Sequence, residues 1–297
     1  MKVIYSEKQV AEQGVQSFDK EIIHSPSARK PKEVAEALKK FTNIEFVEPN
    51  PITVDDIKLC HNEKYVDDII NLIKPNGFGT ISKEIIDSLM YTNGAMYDAA
   101  KLCTVNSPTC ALVSGFHHAG YDRWKGLGYF CTFNGLMITA AKLIQDDPNT
   151  KVAIIDCDMH WGNGTDDILE ELLQFKDSIV HMSFGKTFHH RTDAQKYLDF
   201  LRPNGLVEKF LEEFKPDVIL YQAGADTHIN DPYGGLLTTE EMYERDKLMF
   251  EITKKLNSKI AWNLAGGYQV DPDGSINKVI DLHLNTFRAC QEVYNCF

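Results

Sequence analysis

The stretch VAIIDCDMHWGNGT, residues 152–165, decides how the rest of the chain is read. Residues 152–155 are a continuous apolar run. It stops abruptly at three groups that bind protons or metals, Asp156, Asp158 and His160, and glycines follow. An apolar run without alternation is the pattern of a strand buried on both faces, as in a parallel sheet. Similar runs stand at 111–113, 179–182, 218–221 and 260–264. Between and around them, apolar residues at helical spacing predict helices over 31–40, 64–73, 82–102, 135–145, 165–175, 206–214, 238–256 and 276–294. Pro31 is placed in a first turn and Ser82 at an N-cap. Strands alternating with helices imply βαβ units and a parallel sheet between two helical layers. No Pro-, Gly- or Ser-rich linker interrupts the pattern, so residues 1–297 are expected to form one α/β domain.

Composition narrows the function classes. Hydrophobic residues make up 43% of the 297, enough for a large core, and the net charge of −12 repels nucleic acid and anionic membrane. No segment reaches the roughly 18 apolar residues of a membrane span. The opening MKVIYSEKQVAEQG lacks a signal-length apolar core. The seven cysteines are an odd, scattered set with no C-x-x-C pair, which argues against a disulfide framework and a zinc knuckle. A soluble cytoplasmic protein with mostly buried thiols is expected.

The unusual residues fall at strand ends. Val113 is followed by SGFHHAG, Ile155 by DCDMH, Tyr221 by QAGAD and Leu264 by AGGY. In open parallel sheets the carboxyl edge is where ligands bind. Asp158 and His160 stand two apart, on one side of an extended segment, and Asp226 comes from another strand end. Three such N and O donors match a catalytic zinc site, which keeps one position open. His117 and His118 are adjacent and point different ways, which suggests two jobs: one general base, one tuned charge. A carboxylate behind an imidazole orients it and raises its basicity, and Asp156 is the candidate for that place. Tyr268 follows Gly266 and Gly267, which let the backbone turn beside a ligand, and a phenol there can donate to an oxyanion. Gly128 and Phe130, in GYFCTFN, suit the wall of a narrow channel. His189 and His190 read as rim or solvated residues.

The motifs GFHHAG, GYFCTFN, DCDMHWGNGT, GAD with DPYGG, and AGGY together resemble the zinc-dependent histone deacetylase and acetylpolyamine amidohydrolase family, which shares a fold with arginases. The resemblance runs from about His24 to Tyr268. It implies a three-layer sandwich around a mainly parallel sheet of about eight strands. It implies one zinc ion on Asp158, His160 and Asp226, with His118 as general base and acid. His117 would be an electrostatic histidine paired with Asp156, and Tyr268 the residue that polarises the amide carbonyl. Phe130 would wall the acyl-lysine tunnel, with Gly128, Gly266 and Gly267 beside the substrate. A structural potassium ion would border the backbone from Asp156 to His160.

Several positions depart from the family pattern. Trp161 replaces a second histidine. Asn163 stands where some relatives carry an aspartate behind the general base. His181 stands where relatives often place a potassium-coordinating serine. Tyr233 occupies the region of an acidic gatekeeper found in a polyamine-specific branch. The expected function is removal of an acetyl or other acyl group from acyl-lysine in a protein or peptide. An acetylated polyamine is the alternative substrate, and an oligomer is compatible with either. An arginase-like ureohydrolase and a non-catalytic binding module are the remote readings.

Overall fold

The run at 152–156 shows why the sheet is buried on both sides. Ala153 and Ile155 join one apolar cluster with Leu198, Leu211, Met249 and Phe287. Val152 and Ile154 join another with Met96, Leu136 and Ile168. Alternate residues of one strand therefore feed two cores, one on each face. The computed structural model describes residues 1–11, 15–16, 22–23, 26–123 and 131–295.

The strands are β1 (Lys2–Ile4), β2 (Val15–Gln16), β3 (Ile22–Ile23), β4 (Glu45–Val47), β5 (Thr109–Ala111), β6 (Val152–Asp156), β7 (Ile179–Ser183), β8 (Val218–Gly224) and β9 (Lys259–Ala265). The helices are α1 (Pro26–Leu38), α2 (Val54–Lys58), α3 (Glu63–Ile70), α4 (Lys83–Leu102), α5 (Gly135–Asp146), α6 (Asn163–Glu171), α7 (Ala194–Leu201), α8 (Leu206–Phe214), α9 (Thr239–Lys255) and α10 (Asn277–Tyr294). The main sheet has the order β4-β1-β5-β9-β8-β6-β7, and every pairing in it is parallel. About eight strands were expected; among the described residues there are seven. β2 and β3 pair antiparallel in a separate ribbon. The first core takes residues from α1 and α7 to α10, the second from α2 to α6. This is the three-layer α/β sandwich that the alternation predicts.

Most expected helices stand within a few residues of their predicted bounds, and Ser82 does cap α4, accepting from the Ile85 N–H. Pro31 does not open a helix. α1 starts at Pro26, so Pro31 lies inside it. β1 and β4 give little signal in the sequence because each has only three residues, and Glu45 and Phe46 of β4 are exposed. The six described cysteines are free and buried. No helix among the described residues is long and apolar enough to cross a membrane.

His61, two residues past the C-cap of α2, ties the 117–121 loop to α5. Its Nδ1–H donates to the Gly120 carbonyl at 2.8 Å, and its Nε2 accepts from the Asn134 N–H at 2.9 Å. Both bonds require the neutral ring, and burial lowers its pKa to about 4. An unfolded chain takes up a proton near pH 6.5 that the folded chain refuses until about pH 4, so stability is lost as pH falls through that window. The lost amount is on the order of 3 kcal/mol. Urea unfolding at pH 7 and pH 4.5 is expected to show this drop, and a His61→Gln protein a smaller one. Equal pH dependence in both proteins would rule His61 out as the source.

Candidate active site

β5, β9, β8 and β6 are consecutive neighbours in the sheet. Their carboxyl ends therefore lie side by side, and the four loops met in the sequence converge for that reason.

Past β6 the chain folds over its own carboxylates. The Asp158 N–H donates to Asp156 Oδ1 at 3.1 Å, the His160 N–H to Asp158 Oδ1 at 2.9 Å, and the Met159 N–H to Asp226 Oδ1 at 3.0 Å. His160 Nδ1 is left 3.1 Å from Asp158 Oδ1 and 2.9 Å from Asp226 Oδ2. One ligand atom from each of Asp158, His160 and Asp226 lies within 4.8 Å of the other two. Burial opposes ionisation of both carboxyls. At Asp158 the His117 charge overrides it and holds the pKa well below the carboxylate range. At Asp226 the Asp158 charge reinforces it and the pKa rises. Burial also works against a charge on His160, yet the two carboxylates push its pKa up to about 11. A proton held between an imidazole and two buried carboxylates marks a place suited to a cation. One nitrogen and two oxygens, with no thiolate, fit a catalytic zinc ion.

The adjacent histidines receive different partners. His117 Nδ1–H donates to Asp156 Oδ2 at 2.7 Å, and its Nε2 lies 3.6 Å from Asp158 Oδ1. His118 Nδ1–H donates to Asn163 Oδ1 at 3.0 Å. Burial alone would lower both pKa values. The Asp156 and Asp158 charges raise His117 to about 9, whereas burial and then the His117 charge lower His118 to about 4. The rings are 4.1 Å apart between centroids, so a charged and a neutral imidazole stand in contact. Gly164 makes the arrangement possible. A side chain there would meet the His118 and Ala119 backbone, while the Gly164 and Thr165 N–H groups hold the His117 carbonyl at 2.9 and 3.2 Å.

Tyr268 stands across from His160, 6.4 Å between ring centroids. Burial and then the Asp226 charge keep its pKa well above the usual value, so it stays a phenol donor. Its backbone N–H donates to Asp231 Oδ2 at 2.7 Å. Gly266 has φ +52, and a Cβ there would overlap the Asp226 carboxylate. The glycine pair thus lets the chain reach Tyr268 while pressed against the triad.

Residues 24–190 and 174–285 match the family described as the histone deacetylase domain. The chain belongs to that family. Membership makes it a hydrolase of the deacetylase type. This deacetylase domain is 28% identical over 229 residues to an uncharacterized protein of Picosynechococcus, with 72% of each chain covered. Histone deacetylase 18 of Arabidopsis thaliana is 28% identical over 267 residues, which cover 73% of this chain and 38% of that protein. Two solved structures share the fold. One is the HD domain of HDA15, with TM-score 0.75, 18% identity and 100% and 94% coverage of this chain and that one. The other is an acetylpolyamine aminohydrolase from Burkholderia pseudomallei, with TM-score 0.73, 14% identity and 99% of each chain covered.

The deacetylase domain holds further site residues that its motifs did not announce. Lys30 of α1 is fully buried, and its Nζ donates to the Gly266 carbonyl. Burial lowers its pKa to about 8 despite the Asp226, Asp158 and Asp231 charges around it. Asp231, the first residue of DPYGG, turns inward to accept from the Tyr268 and Tyr233 N–H groups. Nothing in the spacing of a lysine early in a helix marks it as internal. Asp231 could have been suspected from its place before Pro232, where aspartate commonly accepts from the turn.

Other expected residues lie elsewhere. His189 and His190 are exposed, and their N–H groups bind Asp193. Gly128 and Phe130 are outside the described residues. Around Asp156 the side chains are donors. His117 and Ser183 donate to Oδ2, Gln222 donates to Oδ1 at 3.3 Å, and His181 Nε2 lies 3.8 Å from Oδ2. The hydroxyl at this carboxylate is that of Ser183, not of position 181. His181 instead pairs with Asp166 at 2.7 Å.

Proposed function

We propose that this deacetylase domain is a zinc-dependent amidohydrolase that removes an acetyl or other acyl group from the ε-amine of acyl-lysine in a protein or peptide. The convergence of the triad, two imidazoles of opposed protonation and a phenol at one sheet edge carries this reading. Asp158, His160 and Asp226 would hold the zinc. Bound there, the ion supplies Lewis acidity toward a carbonyl oxygen and acidifies water. His118, neutral with Nδ1–H bound to Asn163, has Nε2 available to take a proton from the attacking water. It then returns that proton to the leaving amine. His117 carries a positive charge next to the reacting centre, and Asp156 keeps it oriented. The Tyr268 hydroxyl donates to the oxygen on which negative charge develops.

The described surroundings of Tyr268 favour acyl-lysine over a cationic polyamine. Tyr233 packs edge-on against Tyr268, 5.2 Å between centroids, and is 61% exposed; Val270 is 50% exposed. The nearby Asp231 is spent on two backbone N–H groups and is buried. A polyamine entrance would be served by unpaired carboxylates, whereas along this loop Asp271 pairs with Lys278 and the exposed Asp273 accepts from the Ser275 N–H.

The test is a rate panel on zinc-loaded protein, with acetyl-lysine and longer acyl-lysine peptides against acetylputrescine and acetylspermidine. Preference for the peptides is expected, and preference for the polyamines would overturn the substrate assignment. In the same assay Tyr268→Phe is expected to lower kcat by about 10²–10³-fold with zinc still bound. Unchanged kcat would remove Tyr268 from the reaction.

A further inference from the structure

Arg245 of α9 is fully buried, far from any surface that would explain a charge. Its Nη1 donates to the Gly224 carbonyl at 2.6 Å and to Thr227 Oγ1 at 2.9 Å, and lies 3.4 Å from the Cys157 carbonyl. Gly224 and Thr227 bracket Asp226, and Cys157 lies between Asp156 and Asp158. One guanidinium nitrogen therefore spans the two loops that carry the two carboxylates of the triad. The guanidinium is itself anchored. Nε donates to Asp246 Oδ1 at 2.8 Å, and Asp246 also accepts from the Tyr221 hydroxyl and from Thr286 Oγ1 at 2.6 Å. The Tyr197 hydroxyl adds a second bond to the Cys157 carbonyl at 3.2 Å. The loops meet without slack, since a Cβ on Gly224 would overlap the Asp158 Cα.

We infer that Arg245, anchored by Asp246, is a positioning residue that sets the separation of Asp158 from Asp226 and so the zinc affinity of the triad. This rests on the triad being the zinc site. Arg245 touches neither carboxylate and acts through the backbone on either side of them. A planar guanidinium presents five donors in a rigid fork, whereas a lysine ammonium offers three on a flexible stem. Outer partners of metal ligands commonly govern affinity by 10–100-fold.

Zinc dissociation constants, measured by competition with a chromophoric chelator, test this alongside apo-protein melting temperatures. Arg245→Met is expected to weaken zinc binding by about 10–100-fold, and Arg245→Lys to recover part of the loss. The double variant Arg245→Met, Asp246→Asn leaves no buried anion unpaired and is expected to regain melting temperature without regaining affinity. Affinity that returns with melting temperature would mean a merely structural role and overturn the inference. If Arg245→Met does not fold, Arg245→Lys and Thr227→Val, which removes a single acceptor, decide it, and wild-type affinity in both overturns it. Asp158→Asn separates the two ideas. Undiminished zinc binding in that variant defeats the triad reading itself. Zinc loss there, with wild-type affinity in a folded Arg245→Met protein, defeats only the positioning role.

Discussion

Asp226→Asn is expected to lose its zinc on dialysis against a mild chelator, and turnover with it. The substitution keeps the shape of the side chain. The Oδ1 that accepts from the Met159 N–H can remain in place, so the loop after β6 stays folded. What disappears is one of two negative charges facing His160 Nδ1. A divalent ion on one carboxylate and one imidazole is left with too little charge and too few ligands to displace its hydration water. The variant should also show what the metal-free cluster is holding. With one carboxylate gone, the His160 pKa should fall from about 11, because half of its stabilising partners are lost. Metal analysis and a histidine NMR titration on apo-protein read the two effects separately. An Asp226→Asn protein that retained one tightly bound zinc and wild-type turnover would remove Asp226 from the ligand set.

How far the sequence reaches toward this site depends on what kind of contact holds each residue. Strand ends are legible because burial on both faces writes a continuous apolar run, and a polar residue that breaks it stands out. Asp156, Asp158, His160 and Asp226 were found this way. Their convergence follows from strand order. β5, β9, β8 and β6 are neighbours in space, although the chain visits them in a different order. Lys30 and Arg245 were not legible. Each is a long charged residue in a helix whose polar positions normally face water, and only the packed structure shows that both are fully buried. Their partners are mostly backbone carbonyls, which every residue has and no sequence pattern records. His181 shows the same limit on a smaller scale. It lies two residues from Ser183 on β7, and the register of β7 with β6 brings the serine opposite Asp156.

His118→Ala should lower kcat by about 10²–10⁴-fold, the range of a general acid–base group, with zinc stoichiometry unchanged. The assignment of the base to His118 rather than His117 comes from their partners. A carboxylate behind His117 keeps that ring charged, and a charged ring has no lone pair with which to take a proton. Asn163 behind His118 fixes the tautomer with Nδ1–H and adds no negative charge. Burial and the His117 charge then keep His118 neutral down to about pH 4. Asn163→Asp supplies the complementary readout. A carboxylate there stabilises the imidazolium, so the His118 pKa rises and the acid limb of kcat/KM moves to higher pH. If His117 were the base, the same change at position 163 would leave that limb where it is, and His117→Ala would be the variant that external imidazole restores. Rescue of His118→Ala by imidazole, together with the displaced acid limb in Asn163→Asp, would tie the proton transfer to the member of the histidine pair whose partner carries no charge.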